Sequence, residues 1–208
     1  PLDRAALIGC SVMTGVGAVI NTAAVPAGAS MAVFGVGGVG LNVVQGGAMV
    51  AAHPVIAVDL KAARIEHARA LGATHGVDAS REDPVASIRA ITGRGVDYAF
   101  VAVGDTRAVS QAYDALGPAG TCVIIGVPAT GATLPLDVRP LVTGERVIRG
   151  CSYGGARTRE DLPRLVSLYL AGRLKIDELI THRYGLDEAN EAFRALAAGE
   201  LGRGLIVF

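Results

Sequence analysis

The segment MAVFGVGGVG places Gly35, Gly37 and Gly40 in G-x-G-x-x-G spacing, after an apolar run that reads as a strand and before one that reads as a helix. Each glycine answers a separate need. The first permits a tight turn, the second lets backbone approach a pyrophosphate, and the third lets helix and strand pack closely. Gly38 and Val39 complete the turn. The helix start then offers unpaired N–H groups and the positive end of a dipole to phosphate. Asp59 ends the next apolar run, about 20 residues on, where a carboxylate accepts hydrogen bonds from both hydroxyls of an adenosine ribose. An acid there repels the extra phosphate of NADP, so the pattern favours NAD. The bland reading is a plain glycine turn and a surface Asp. Strand, turn, helix, strand and acid in register weigh against it. Arg64 lies one helical turn further on, where adenosine or solvent could engage it.

The surrounding elements must position this turn. A helix is expected over 13–24, stopped by Pro26 and Gly28. Strands follow at 31–34, 55–59, 76–77, 98–103, 120–127 and 147–153, and helices at 38–50, 62–71, 84–91 and 107–116. Gly117-Pro118 reads as a turn. Strands alternating with helices give parallel βαβ units with right-handed crossovers. The fold class is therefore α/β: a doubly wound six-stranded parallel sheet in order 3-2-1-4-5-6. A short α+β segment follows, with helices at 161–171 and 186–198 and strands at 181–184 and 204–208.

Bulk properties agree. The 208 residues suit one large domain or one and a half, and half are apolar with abundant glycine. Nineteen basic residues balance nineteen acidic ones, which gives no support for nucleic acid or an anionic membrane as partner. No charged residue of the Asp, Glu, Lys or Arg type lies between Arg4 and Asp59. Polar and glycine interruptions argue against a membrane span there, and the stretch is expected to be buried or to face a further domain. Cys10, Cys122 and Cys151 are odd in number and form no C-x-x-C pair, which points to a reducing cytoplasm. No secretory signal is read, and a start at Pro1 suggests a fragment or processed form.

The stretches AALIGCSVMTGVGAV, AVFGVGGVGLNVV, VIAVDL, ALGATHGVD, GVDYAF, VIIGVP, GCSYGG, LITHRYGLDEANEAF and RGLIVF, in this order, resemble the C-terminal part of the zinc-dependent medium-chain alcohol dehydrogenases. The glutathione-dependent formaldehyde dehydrogenase branch is included. The resemblance implies a remnant of the catalytic domain at 1–12, an NAD-binding Rossmann domain at 13–153, and a return segment of the catalytic domain at 154–208. It implies an N-terminal GroES-like domain that is missing here. Cys10 would be one of three ligands of a catalytic zinc. Thr14 would touch the nicotinamide and Val39 back it. Asp59 and Arg64 would hold the adenosine ribose, and Val103 the adenine side. Ile125 and Val127 would frame the nicotinamide. Backbone groups of Ile125, Cys151 and Tyr153 would bond its carboxamide, and Arg203 would meet the pyrophosphate. The family often has Arg after the glycine at position 104; Asp105 stands there instead.

The implied reaction is oxidation of an alcohol, or of a thiol adduct of formaldehyde, with zinc lowering the pKa of the alcohol oxygen and NAD taking the hydride. One ligand does not hold a catalytic zinc, so this chain alone is expected to be inactive. A homodimer or homotetramer is expected, paired through the edge strand at 147–153 and the region 134–149. Cys122 and the four histidines, including His67 on an exposed helix, read as non-metal residues. The alternatives are a zinc-independent quinone reductase of the same superfamily and a free-standing dinucleotide-sensing module. Cys10 argues against the first and the return segment against the second.

Overall fold

The structure, a computed structural model, describes residues 2–199 and 203–208; Pro1 lies outside the described residues. A six-stranded, all-parallel sheet runs in the order β3-β2-β1-β4-β5-β6. Its strands are β1 (Met31–Phe34), β2 (Val55–Asp59), β3 (His75–Asp78), β4 (Val96–Val101), β5 (Leu116–Ile124) and β6 (Val147–Gly150). This is the doubly wound order expected from the alternation of strands and helices. Every residue of β1 and β2 is buried, as a central parallel strand covered on both faces requires.

Helices cover both faces. One face carries α3 (Gly40–Met49) and α4 (Ala62–Ala70), the other α5 (Pro84–Thr92) and α6 (Thr106–Asp114). Two apolar clusters result. Met31, Val33, Val43 and Val44 lie in one, and Phe34, Ile56, Ile88 and Tyr113 in the other. Helix α5 starts with Asp83 accepting from the N–H groups of Val85 and Ala86, and Pro84 fits its first turn.

The first helix is longer than expected. It begins at Leu2, where the sequence suggested residue 13. Segments α1 (Leu2–Leu7) and α2 (Met13–Gly17) join through π-helical turns at Ile8–Val12 and Ala18–Ala23 into one continuous helix. By length and composition it could cross a membrane, yet Val12, Met13, Val16, Ala18 and Val19 are buried in the core against α3 and β1. Most of the charge-free stretch is therefore interior. Gly15 and Gly17, inside the expected helix, serve close approach. A Cβ on Gly15 would meet Asn42 of α3 and the carbonyl of Val39 just before it, and one on Gly17 would meet the Gly154 carbonyl.

Other boundaries also shifted. The turn read at Gly117-Pro118 lies inside β5 as an insertion: Val96 pairs with Leu116 but Tyr98 with Thr121, and Ala119 takes a φ of 55°. A short helix, α7 (Val138–Thr143), was not anticipated and is capped by Asp137. Strand β6 stops at Gly150, so Cys151 and Tyr153 lie in the connection beyond it. The C-terminal segment holds α8 (Thr158–Leu170), α9 (Ala189–Ala197) and a parallel pair, β7 (Ile180–Tyr184) with β8 (Arg203–Ile206).

Candidate functional site

The glycine turn lies at the C-terminal end of β1, where open α/β sheets receive ligands. Gly35 takes a φ of 84°, in the left-handed region that favours glycine, and its N–H donates to the Val58 carbonyl. A Cβ on Gly40 would strike the Gly35 carbonyl, so the third glycine brings helix onto turn. A Cβ on Gly37 would meet nothing, so backbone is open to a ligand there. The N–H groups of Gly38, Val39 and Gly40 have no partner among the described residues, as a helix start leaves them. The Gly38 carbonyl is held by the Asn42 side-chain amide at 2.8 Å. Asn42 in turn accepts from Gln45 at 3.2 Å, and Gln45 pairs twice with the backbone of Lys175.

Arg203, the first residue of β8, lies over this turn. A Cβ on Gly38 would collide with its guanidinium. The Arg203 Nε is buried and has no hydrogen-bond partner. An unsatisfied cationic donor above unpaired backbone N–H groups is an arrangement suited to an anion.

Beyond the turn a cleft of about 310 Å³ opens between the ends of β2 and β4. Asp59 and Arg64 line it, as does Val103, which packs on Gly35. Asp59 is buried, with Oδ2 accepting from the Val36 N–H at 2.9 Å and Oδ1 from the Lys61 N–H at 3.0 Å. Arg64 Nη1 lies 3.8 Å from Asp59 Oδ2, and Arg64 Nη2 donates to the Gly199 carbonyl at 2.6 Å. Lys61, which sequence reading missed, donates to the carbonyls of Ala198 and Gly199. Asp105 accepts from the Arg107 N–H and caps α6.

Of the second group of expected residues, Ile125 and Cys151 pack on the apolar cluster shared by α2 and α3, whereas a Cβ on Gly104 would meet the Val127 carbonyl. Thr14 is half-buried, and its neighbour Gly15 packs on Val39. Gly154 approaches the Thr14 carbonyl. Val127 is 88% exposed at the end of the β5 connection, while Ile125 is half-buried. The N–H groups of Ile125 and Cys151 are already used, by the carbonyls of Val101 and Ile124. Their carbonyls and the Tyr153 N–H are free among the described residues. Tyr153 has a φ of 52°, and its hydroxyl donates to the Gly9 carbonyl at 2.8 Å.

Cys10 is exposed on the first π-helical turn. No group of three or more His, Cys, Asp or Glu side chains could hold a metal among the described residues. Cys122 is buried, and burial pushes its thiol up to about 12. His67 is less exposed than expected, with Nε2 at 2.9 Å from the Glu178 carbonyl.

Sheet order, glycine turn and acid at the end of β2 define the class: a doubly wound α/β domain built like those that bind dinucleotides. The family model for zinc-binding dehydrogenases matches residues 38–171, and the chain belongs to that family. It is 42% identical to an alcohol dehydrogenase class-3 from Cereibacter sphaeroides over all of this chain and 57% of that protein. It is 39% identical to an S-(hydroxymethyl)glutathione dehydrogenase from Paracoccus denitrificans, with the same coverage. Benzyl alcohol dehydrogenase from Acinetobacter calcoaceticus superposes with a TM-score of 0.96 at 35% identity, over 99% of this chain and 57% of the other. The chain thus spans little more than half the length of these relatives.

Proposed function

We propose that these residues are the NAD-binding part of a zinc-dependent alcohol dehydrogenase. Its substrate is an alcohol or a thiol adduct of formaldehyde. The observation that carries the reading is the Arg203 guanidinium over Gly38, its buried Nε unbonded, beside three unpaired N–H groups. That set fits a pyrophosphate. Asp59 is placed to accept from the adenosine ribose hydroxyls, with Arg64 beside it. The free carbonyls of Ile125 and Cys151 and the Tyr153 N–H suit a carboxamide, which has two donors and one acceptor. Thr14, Val39 and Val127 then bound the ring.

When bound, NAD supplies a nicotinamide carbon that accepts hydride from the alcohol carbon. The chain's own part is to fix the ring face and exclude water on the protein side. The donor set at Cys10 is one thiol and does not fit a zinc by itself. These 208 residues alone are expected not to oxidise alcohols. In this reading residues 1–12 and 154–208 belong with a catalytic domain and 13–153 form the cofactor domain. Edge strand β6, with Val147 exposed, pairs with a second copy.

Calorimetric titration with NAD and NADP tests the reading. One saturable site with NAD bound more tightly is expected. Tighter NADP binding, or binding of neither, overturns it.

A further inference from the structure

The cleft beyond Asp59 is walled by Leu60 and Ala79 on one side and by Ala108 and Gln111 of α6 on the other. Most of its polar side chains are engaged, although the buried Arg64 Nε has no partner. Asp59 holds two backbone N–H groups, Lys61 and Arg64 clasp the carbonyls after α9, and Asp105 caps α6. Gln111 differs. Its side chain lines the cleft, is half-buried, and has no hydrogen-bond partner among the described residues. Arg107 lies one turn earlier on the same helix face and has only a 3.5 Å contact with Asp105.

A purine amine has a specific need. The amino group of adenine donates, and the ring nitrogen beside it accepts. A primary amide presents a carbonyl oxygen next to an NH₂ group, so one Gln side chain can meet both. A guanidinium can only donate and a carboxylate can only accept. The planar guanidinium is instead suited to stacking on the face of a base. The geometry points to Gln111 as the residue that reads the edge of the adenine, with Arg107 stacked on the ring. This assignment rests on the dinucleotide reading above. It supplies an adenine contact from the body of α6, since the Asp105 carboxylate is taken up as the helix cap and can only accept.

The test compares NAD with its 1,N6-etheno analogue, in which the amino group is bridged and no longer donates. Dissociation constants are measured for the unaltered chain, Gln111→Leu and Arg107→Ala, with urea midpoints as the folding control. The unaltered chain is expected to bind NAD about tenfold more tightly than the analogue. Gln111→Leu should weaken NAD about tenfold and the analogue less than twofold. Arg107→Ala should weaken both alike, because stacking does not use the amino group. If the unaltered chain binds neither compound, the dinucleotide reading fails and this one with it. If NAD binds but Gln111→Leu weakens both compounds equally, or neither, the assignment of Gln111 alone is overturned.

Discussion

Replacing Asp59 separates a structural role from a recognition role. Its two oxygens accept from the N–H groups of Val36 and Lys61. Val36 is fully buried, so its N–H has no access to water once the carboxylate is gone. A hydrogen bond to a charged group contributes about 1.5–3 kcal/mol, and a buried donor left unpaired costs about 1–3 kcal/mol. The Val36 bond and its orphaned donor together come to about 3 kcal/mol. The Lys61 bond, nearer to solvent, adds less. Asp59→Ala should therefore destabilise the domain by about 3–5 kcal/mol, a large share of the roughly 5–15 kcal/mol typical of a domain. Asp59→Asn keeps an oxygen for Val36 and should cost only about 1–2 kcal/mol. Urea unfolding followed by circular dichroism measures both. Asn also loses the charge that repels a ribose phosphate, so the ratio of NAD to NADP affinity should fall at least about tenfold. A loss below about 1 kcal/mol in Asp59→Ala would refute the bracing role. An unchanged ratio in Asp59→Asn would refute the recognition role.

Further outcomes follow from other parts of the molecule. Gly154 has a φ of 68°, and a Cβ there would collide with the Met13 carbonyl, so Gly154→Ala should lower stability by about 2–4 kcal/mol in the same urea assay. Gly150, where a Cβ meets nothing, should tolerate Ala within about 1 kcal/mol. Iodoacetamide at pH 8 with mass-spectrometric readout should label exposed Cys10 first and leave Cys122 unlabelled until unfolding, and dialysed protein should hold no stoichiometric zinc. The Arg183 hydrogen bond holds Asp3 below the usual carboxylate range, and the Tyr169 hydroxyl does the same for Asp177. Arg4 bridges the two acids. A lowered folded-state pKa gives stability that is fully present above the ordinary carboxylate value of about 4 and is lost as pH falls through the folded value. Hydrogen-exchange protection of α1, corrected for intrinsic rate, should thus hold from pH 7 to about 5 and drop only in stronger acid.

The sheet was legible because buried parallel strands are written as apolar runs, and those of β1 and β2 are unbroken. The first helix was only half legible. The part over 13–24 was read, the part from Leu2 to Val12 with Gly9 inside it was not, and only the structure reveals that Gly15 and Gly17 admit α3 and the turn at Gly154. Helix α7 is a six-residue segment with no buried residue, too short to carry a periodic signal. At the site, the glycines and Asp59 were legible from local spacing. Arg203 was reached only through family resemblance, since nothing local ties β8 to a turn near residue 38. Asn42, Gln45, Lys61, Arg107 and Gln111 were missed. Gln45 and Lys175 are 130 residues apart, and Lys61 and Gly199 138, so their pairing exists only once the C-terminal segment docks on α3 and α4. Lysine at 61, two residues after Asp59, and Gln111 four residues after Arg107 were the available hints.

The central claim is that the glycine turn and Arg203 together hold a pyrophosphate. Its most direct test is a ¹H–¹⁵N spectrum, with the arginine Nε region included, recorded while ADP-ribose is added. The N–H signals of Gly38, Val39 and Gly40 and the Arg203 Nε–H should shift together along one saturation curve, because these donors lie unpaired at the turn. Saturable shifts that bypass these four groups, or none at millimolar ligand, would contradict the account.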